Sequence, residues 1–481
     1  MHKNNSFDLI VIGAGAGGLN VASFMNSIGA KVLLIDKSAE HIGGDCLNAG
    51  CVPSKALIHI ARQFQAGRAI KSYGARLTGE ADVVAIMDSI RAKQAIIREH
   101  ESVEYFTKKG MTVVLGEARF VGKREVEVAG VRYRAKKIIL ATGSRPRQLQ
   151  IPGVEEVVAA GRLHTNETIF GLTTLPKQLL VIGGGPIGVE LGQAFLHLGS
   201  AVTVITTDET IIPREDKAVS AILTAQLEKD GLQIVCQQQS VRFENGNVLV
   251  TADQKTQTEI KHTFDAVLVA IGREVVTKNL NLDAAGIDTN ERGGIVVDEY
   301  LRTTNHSVYV CGDVAGQHQF THAAELHAGV VIRNLLTPWK KKKLVTDTLS
   351  AVTYTSPEVA TYGLSPRTMT ERGITYTTLE SSFADSDRAI TDEATSGYTK
   401  MYIDSKTKKI LGGTMIAPQA GELIQELILA TSSGLSTNAL FQKIYPYPTA
   451  TRINKIVVMN EARKKLTPLV RRVLYSLYRI G

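Results

Sequence analysis

Short apolar runs alternate with amphipathic stretches along most of the chain, as in parallel strands connected by helices. The apolar run Phe7–Ile12 leads into the glycine-rich segment Gly13–Gly18. A stretch with helical spacing then leads to a second apolar run, Lys31–Asp36. A strand, a glycine turn, a helix and a second strand form a dinucleotide-binding βαβ unit. The pattern therefore predicts one such unit near residues 7–36.

The same unit recurs further along the chain. An apolar run at Gln178–Ile182, a glycine-rich turn at Gly183–Gly188 and a second run at Ala201–Thr206 repeat the arrangement. In both copies the last strand residue, Asp36 or Thr206, lies 23 positions after the first glycine. Repetition of a whole supersecondary unit is stronger evidence than one motif. The sequence therefore predicts two dinucleotide sites.

The remaining pattern predicts further elements of both kinds. One long amphipathic helix is predicted over Ala81–Gly110. Short strands are predicted around Val113 and over Val126–Val131, Lys137–Gly143, Val267–Gly272 and the start of Ser307–Gly316. After a polar connector, an α+β unit is predicted from strands over Val352–Gly363, Ser381–Ala384, Tyr398–Ile403 and Ile410–Ile416, and from a helix over Gly421–Gly434.

Composition narrows the class of protein. The chain has 481 residues, of which 44% are hydrophobic and 21% charged, as in ordinary globular proteins of about three domains. Lys and Arg number 55 against 47 Asp and Glu, but no basic stripe is interleaved with aromatic residues. Nucleic-acid binding is therefore not expected. With neither a signal-peptide pattern nor an apolar run of about 18 residues, we expect a soluble, cytoplasmic protein.

Two of the four cysteines lie close together. Cys46 and Cys51 belong to the segment Gly43–Lys55, and a stretch with helical spacing follows. A helix that begins near Cys51 places its sulfur at a helix N-terminus, where the dipole favours the thiolate. A reversible disulfide with Cys46, two buried free thiols and half of a metal site all remain open. Cys236 and Cys311 are predicted to be buried core thiols.

The first glycine turn fits the dinucleotide pattern G-x-G-x-x-G. Gly13, Gly15 and Gly18 allow backbone amides and a helix N-terminus to contact a pyrophosphate. Asp36, at the end of the second strand, is suited to accept hydrogen bonds from ribose hydroxyls. These four residues are therefore predicted to bind a dinucleotide.

The second glycine turn has the same pattern but a different strand end. Gly183, Gly185 and Gly188 repeat the spacing, whereas Thr206 stands where an acid would favour NAD. Neither of the next two positions is an Arg that would hold a 2′-phosphate. The choice between NADH and NADPH therefore stays open.

Together these motifs resemble the flavin-dependent pyridine nucleotide–disulfide oxidoreductases, which include dihydrolipoyl dehydrogenase, glutathione reductase and mercuric reductase. The resemblance covers roughly residues 7–455, and it also rests on Ala141–Gly143 and the Gly312-Asp313 turn. It implies an α/β fold with two Rossmann-like domains and a C-terminal α+β dimerisation domain. The implied ranges are 1–155 and 277–345 for FAD, 156–276 for NAD(P), and 346–481 for the interface with its basic tail. It also implies a homodimer.

The resemblance further implies a path for electrons and a set of site residues. Electrons would pass from NAD(P)H through FAD to a Cys46–Cys51 disulfide and then to an acceptor. Cys51 would lie against the flavin, Cys46 would meet the acceptor, and Lys55 and Glu190 would pair near the flavin. The other implied cofactor-binding residues are Lys37, Gly44, Ala141, Thr142, Gly143, Gly272 and, for the ribityl chain, Asp313.

The segment Tyr447–Arg452 departs from the family pattern. Thiol-reducing members carry His-Pro-Thr-x-x-Glu there, and the imidazole, from the other subunit, moves a proton between thiol and acceptor. Tyr447 and Arg452 replace the His and the Glu, and a phenol with a pKa of about 10 is a poor base at neutral pH. Mercuric reductases have Tyr here, but they also end in a cysteine pair, and no Cys follows Cys311.

Two smaller features bear on the same site. Asp45 stands where most members have Thr, and a carboxylate there should raise the pKa of Cys46 if it lies close. His318, His322 and His327 suggest a metal triad, but the resemblance places their segment beside the flavin. No metal site is therefore predicted.

The leading prediction is an FAD-dependent NAD(P)H oxidoreductase whose acceptor is a thiophilic metal ion, as in mercuric reductases. The alternatives are a dihydrolipoyl dehydrogenase with an atypical proton shuttle and a catalytically degenerate flavoprotein scaffold. The basic amphipathic stretch over residues 462–481 is compatible with contact to a membrane surface. A solvated or dimer-packed helix is the favoured interpretation of that stretch.

Overall fold

A computed structural model describes residues 5–291, 293–316 and 318–480. Its strands are β1 (Ser6–Ile12), β2 (Val32–Asp36), β3 (Thr112–Leu115), β4 (Ala118–Gly122), β5 (Glu125–Val128), β6 (Val131–Leu140), β7 (Ser144–Pro146), β8 (Leu163–His164), β9 (Gln178–Ile182), β10 (Ala201–Ile205), β11 (Gln233–Val235), β12 (Gln238–Glu244), β13 (Val248–Asp253), β14 (Glu259–Thr263), β15 (Ala266–Val269), β16 (Arg273–Val275), β17 (Val308–Val310), β18 (Ser350–Thr353), β19 (Glu358–Gly363), β20 (Tyr376–Ser382), β21 (Tyr398–Asp404) and β22 (Ile410–Ala417). Its helices are α1 (Ala16–Ser27), α2 (Gly44–Asn48), α3 (Cys51–Ala69), α4 (Val83–Arg98), α5 (Val103–Lys108), α6 (Val154–Ala159), α7 (Pro186–Leu198), α8 (Lys217–Asp230), α9 (Leu282–Ala285), α10 (Thr321–Leu336), α11 (Pro366–Glu371), α12 (Asp387–Thr391), α13 (Ala420–Leu423), α14 (Gln425–Ser432), α15 (Thr437–Gln442), α16 (Ile453–Lys464) and α17 (Pro468–Ile480).

The first sheet has the strand order β3-β2-β1-β6-β5-β4, and β17 pairs with β6. β1 runs parallel to both β2 and β6 at the centre of the sheet. Its apolar residues face two cores, because successive strand side chains point to opposite faces. Leu9 and Val11 pack with α1 and α10, whereas Ile10 and Ile12 pack towards β4 and β5. This arrangement fixes the end of β1, where the first glycine turn begins.

The second sheet is parallel, with the strand order β11-β10-β9-β15-β8. α7 connects β9 to β10, as α1 connects β1 to β2. α3 from the first unit packs against α7, and their apolar residues share one core. The antiparallel pair β7–β16 links the two units. The two glycine turns are therefore held in one framework.

A small sheet has the strand order β12-β13-β14, and the last sheet is antiparallel, with the strand order β18-β19-β22-β21-β20. α13, α14 and α16 contribute apolar residues to the core on this sheet. The predicted combination of α/β units with an α+β unit is thus confirmed. Among the described residues, no helix is both long and apolar enough to cross a lipid bilayer.

The predicted helix over Ala81–Gly110 is wrong, because the structure has two helices, α4 and α5, in this range. The break lies at 99–102, where Ser102 begins the new helix by accepting a hydrogen bond from the Tyr105 amide at 3.2 Å. Serine favours such N-cap positions. The apolar spacing resumes after the break, so the pattern alone did not reveal it.

Similar interruptions divide two predicted elements of the last unit. The predicted strand over Val352–Gly363 is the hairpin of β18 and β19, whose connection contains Ser356 and Pro357. Proline cannot donate a ladder hydrogen bond, which disfavours it inside a strand. The predicted helix over Gly421–Gly434 is instead α13 followed by α14, with Ile424 between them.

Candidate active site

The two glycine turns have the same backbone geometry. Gly13 and Gly183 adopt φ angles of +105° and +119°, which strain residues with side chains. A Cβ at Gly13 would lie 2.2 Å from the Ala141 carbonyl oxygen, and one at Gly183 would lie 2.3 Å from that of Ala270. Each strand can therefore pass closely into the following helix only because glycine stands at the turn.

The helices that follow the turns begin with free backbone donors. Gly15 and Gly185 are the N-cap residues of α1 and α7, and neither makes a side-chain cap. Gly18 and Gly188 lie in the first helical turns. The unused N–H groups and the helix dipole make each N-terminus suitable for a phosphate group. Both predicted dinucleotide turns thus fit a pyrophosphate.

The strand ends beside the two turns differ. Asp36 accepts hydrogen bonds from the Ala14 and Lys37 amides at 2.6 and 2.7 Å, so its carboxylate is fixed at the end of β2. Thr206 follows β10, and its hydroxyl accepts from the Asp208 amide at 3.2 Å and donates to the Asp208 carboxylate at 3.3 Å. Sequence reasoning noted only that Asp208 is not an Arg and missed that its carboxylate lies beside Thr206.

The predicted residues after β6 and β15 lie where the chain crosses between the two units. Ala141–Gly143 follows β6, and the Thr142 hydroxyl donates to the Val276 carbonyl at 2.6 Å. Gly272 follows β15, and its carbonyl accepts from the Arg147 amide at 3.0 Å. These bonds flank the β7–β16 pair, so the structure brings the carboxyl ends of both sheets together.

Cys46 and Cys51 lie on the consecutive helices α2 and α3, and their thiols interact directly. Cys51 is the first residue of α3, as predicted, while Cys46 lies in α2, whose first residue, Gly44, packs against the first glycine turn. The hydrogen bond between the thiols lowers the pKa of Cys51 to about 6, against burial, and Thr321 and Lys55 contribute to the lowering. The same bond, with burial, raises the pKa of Cys46. Cys51 is therefore the thiolate of the pair.

Thr321 is a contact that sequence reasoning missed. Its hydroxyl oxygen lies 3.4 Å from the Cys51 sulfur, and it is the first residue of α10. The only sequence signal was its position after the Gly312-Asp313 turn, in a segment noted for its histidines.

Asp45 acts differently from the expectation. Its carboxylate lies 3.4 Å from the Arg273 guanidinium and accepts a hydrogen bond from Asn166 at 3.3 Å. Its charge raises the pKa of Cys51 slightly against the larger lowering effects, whereas the raised pKa of Cys46 comes chiefly from Cys51 and burial. The expected action of Asp45 on Cys46 is therefore not observed.

Arg273 also connects to the predicted ribityl-binding residue, Asp313. It donates to the Ser144 hydroxyl at 2.7 Å, and Ser144 donates to Asp313 at 2.6 Å. Burial raises the pKa of Asp313, while Ser144 and Arg273 oppose that effect. A chain of polar contacts thus runs from Asp45 in α2 to Asp313.

Lys55 and Glu190 form an ion pair between α3 and α7. Lys55 Nζ lies 2.9 Å from the Glu190 carboxylate, which also accepts from the Tyr354 amide at 2.8 Å. The ammonium lies 4.4 Å from the centre of the Tyr354 ring. Burial disfavours the charge of Lys55, but Glu190 outweighs burial and raises the pKa of Lys55. A permanent cation therefore stands near the Cys51 thiolate.

A cavity of about 330 Å³ opens beside Cys46. Its lining includes His100, Glu101 and Glu325, and burial raises the pKa of Glu101. Sequence reasoning missed these residues, since the predicted continuous helix gave Glu101 no special position. The cavity offers an acceptor access to Cys46 past two carboxyl groups.

Two of the three histidines, His322 and His327, have separate hydrogen-bond partners. His327 is buried, accepts from the Gly312 amide at 3.3 Å, and has its pKa lowered to about 4 by burial. The His322 ring lies 2.7 Å from the Ser350 carbonyl oxygen, and burial lowers the pKa of His318. Across the described residues, no three His, Cys, Asp or Glu side chains are grouped to hold a metal ion.

Tyr447 lies away from the thiols within one chain. It lines a second cavity, of about 340 Å³, which does not include either cysteine. Its hydroxyl donates to Asp387 at 3.0 Å, which raises its pKa, and the Arg452 guanidinium lies 5.3 Å from its ring centre. The structure therefore does not bring Tyr447 and the cysteines together in a single protomer.

Comparisons with known proteins agree with this arrangement. Residues 7–328 match the family model of pyridine nucleotide-disulphide oxidoreductases, and residues 349–456 match the dimerisation domain of that family. A mercuric reductase of Bacillus cereus is 32% identical over 464 residues, which cover 95% of this chain and 72% of that protein. A dihydrolipoyl dehydrogenase of Thermus scotoductus is 36% identical over 453 residues, which cover 92% and 95%.

A solved structure is similar over nearly the whole length. The Cu(II) complex of the HOCl-induced flavoprotein disulfide reductase RclA from Escherichia coli gives a TM-score of 0.82 at 26% identity, covering 94% of this chain and 99% of that one. The matched dimerisation domain supports a homodimer. The fold, the paired glycine turns and these matches together show that the chain belongs to the pyridine nucleotide-disulphide oxidoreductases, a family of enzymes that use FAD and NAD(P)H.

Proposed function

We propose that this protein is an FAD-dependent NAD(P)H oxidoreductase in which Cys46 and Cys51 pass electrons to a thiophilic metal ion. The observation that carries the proposal is the thiol pair itself. Cys51 has a pKa of about 6, and Cys46 opens to a cavity with two carboxyl groups. Such a pair suits a cation that binds sulfur.

The glycine turns fit the two cofactors. Gly13, Gly15 and Gly18 would hold the FAD pyrophosphate, with Asp36 on the ribose and Asp313 on the ribityl chain. In the second unit, Gly183, Gly185 and Gly188 would hold the nicotinamide dinucleotide. The chemistry that bound FAD would supply is hydride acceptance from NAD(P)H and transfer of two electrons to the cysteine disulfide.

Lys55 is proposed to stabilise the thiolate at Cys51. The ion pair with Glu190 holds the ammonium in place, and its charge contributes to the lowered pKa of Cys51. A cation near a thiolate keeps it deprotonated at neutral pH. Cys51 therefore needs no separate base to remain ionised.

A metal acceptor also explains why Tyr447 can stand where thiol-reducing family members have the catalytic imidazole. Soft metal ions bind thiolates. With Hg(II), the Cys46 thiol and the Cys51 thiolate would form a disulfide, two electrons would pass to the metal, and one proton would leave. No base has to return that proton to a product. The hydrogen bond to Asp387 raises the pKa of Tyr447, which leaves even less phenolate to act as a base at neutral pH.

The acidic cavity favours a positively charged acceptor. Glu101 and Glu325 add negative charge beside Cys46, and such a field raises the local concentration of cations. Mercuric reductases among the relatives and the Cu(II) complex of the structural neighbour support the same acceptor class.

The test is the oxidation of NADH and of NADPH by Hg(II) in the presence of excess small thiol. We expect turnover in the wild type, none in Cys46→Ser, and unchanged turnover in the matched control Cys236→Ser. Cys236 is a free cysteine outside the lining of the Cys46 cavity. A preparation whose FAD is reduced by NADPH, yet which shows no metal-dependent oxidation, would reject the metal acceptor.

A second candidate is a dihydrolipoyl dehydrogenase with an atypical proton shuttle. The 36% identity to the Thermus scotoductus enzyme favours it. Reduction of NAD by dihydrolipoamide, lost in Tyr447→Phe, would establish this activity, and no turnover would exclude it. The scaffold alternative is the weakest, since both thiols and the Lys55–Glu190 pair are in place. Rapid turnover that depends on Cys51 would eliminate it.

A further inference from the structure

The helix α17 (Pro468–Ile480) lies beyond residues 349–456, which match the dimerisation domain. Its start is encoded locally, because Pro468 is its first residue and the Thr467 hydroxyl accepts from the Val470 amide at 3.3 Å. None of its residues is buried. The chain therefore builds a defined helix that it does not pack against its own core.

The helix separates its aliphatic residues from its charged ones. At about 100° per residue, six aliphatic side chains fall within about 140° of the helix circumference. These are Leu469, Val470, Val473, Leu474, Leu477 and Ile480, which together form the aliphatic face, and their exposed fractions range from 38% to 83%. Arg471, Arg472 and Arg479 fall on the opposite side, together with Tyr475 and Tyr478, whereas Ser476 lies at the edge of the aliphatic face. In water alone, the whole aliphatic face would stay solvated at a cost in free energy.

The charge of this segment has one sign. Residues 462–481 contain six basic side chains and no acidic one. The six are Arg463, Lys464, Lys465, Arg471, Arg472 and Arg479. A surface that complements the segment must therefore be apolar where it contacts the aliphatic face and negatively charged where it contacts the basic side chains.

We propose that α17 binds the surface of an anionic lipid bilayer, lying in the plane of the interface. The aliphatic face would enter the boundary between headgroups and acyl chains, and the arginines would contact lipid phosphates. At about 1.5 Å per residue the helix is only about 20 Å long, so it lies on the membrane and does not cross it.

The same observations disfavour a second copy as the occupant. Two copies of the segment would bring twelve basic charges together, counted as six from each, and like charges repel. The sequence alone favoured a solvated or dimer-packed helix. The exposure of the entire aliphatic face and its separation from the arginines shift the preference to a lipid surface.

The test is flotation of the full-length holoenzyme with vesicles, which is independent of the electron acceptor. We expect binding to vesicles of phosphatidylglycerol and phosphatidylcholine, weak binding to pure phosphatidylcholine, and release by salt. The double variant Val473→Glu, Leu477→Glu should lose binding. The double variant Arg471→Gln, Arg472→Gln should reduce the partition coefficient about thirtyfold, since each basic residue near an anionic surface contributes about fivefold.

The matched control removes two positive charges elsewhere. Lys340 and Lys342 are exposed in the connector before β18, so Lys340→Gln with Lys342→Gln should leave binding unchanged. Equal binding by the Val473→Glu, Leu477→Glu variant, or equal affinity for neutral and anionic vesicles, would overturn the proposal. So would conversion of that variant from dimer to monomer without any vesicle binding by the wild type, because the helix would then be a dimer contact.

Discussion

The hydrogen bond from Cys46 should control how much of Cys51 is ionised at neutral pH. It is the largest cause of the lowered pKa of Cys51, which falls from 9.0 to about 6. At pH 7, a thiol with a pKa of 6 is about 90% thiolate, whereas one with a pKa of 9 is about 1% thiolate. Only the thiolate is nucleophilic. Loss of the donor should therefore slow alkylation of Cys51 at pH 7, and a return of the pKa to 9.0 would correspond to a decrease of about ninetyfold.

The assay is the pH profile of iodoacetamide alkylation at Cys51, followed by peptide mass mapping in the reduced protein. The comparison is Cys46→Ala, which removes the donor, with Cys46→Ser, whose hydroxyl can still donate to the sulfur. The profile of Cys46→Ala should move to higher pH, and that of Cys46→Ser should move less. Burial raises the pKa of Cys311 to about 12, so that thiol should not compete. Identical profiles for the wild type and Cys46→Ala would refute the reasoning.

Three further changes test other parts of the site. Lys55→Met leaves the Glu190 carboxyl, whose side chain is 7% exposed, without its ammonium partner; the free energy of unfolding in urea should fall by about 3 kcal/mol, and adding Glu190→Gln should restore part of it. Glu101→Gln should raise the KM for Hg(II) severalfold, but should not change reduction of a neutral acceptor; equal effects on both acceptors would count against an electrostatic role. Asp208 should repel the 2′-phosphate of NADPH, so the wild type should prefer NADH, and Asp208→Asn should reduce that preference in kcat/KM.

The local parts of the fold could be predicted from the sequence. β9 has the predicted bounds Gln178–Ile182, and α3 begins at Cys51 as expected. These elements depend on apolar runs, glycine turns and helix starts within a few residues of each other. The break before Ser102 was missed because its capping bond competes with an apolar spacing that continues on both sides.

The contacts around the thiols could not be predicted in the same way. Thr321 reaches Cys51 across 270 positions of sequence, and Arg273 reaches Asp45 only because the β7–β16 pair joins the two units. No local pattern encodes such proximity. The sequence shows that Asp45 departs from the family pattern, but its ion pair with Arg273 can be seen only in the folded structure.

The departures from the family pattern affect proton transfer more than electron transfer. Lys55 and Thr321, which lie next to the thiols, favour the thiolate of Cys51. Arg273 pairs with Asp45 and so compensates the charge of this extra carboxylate. At the position of the expected imidazole, Tyr447 is tied to Asp387, with a guanidinium in place of the expected carboxylate. A site that can hold reduced thiols but has neither the imidazole nor the carboxylate of the family's proton shuttle at positions 447 and 452 is suited to an acceptor that takes electrons without protons. A thiophilic cation meets that requirement, and a disulfide does not, because each thiol product must gain a proton.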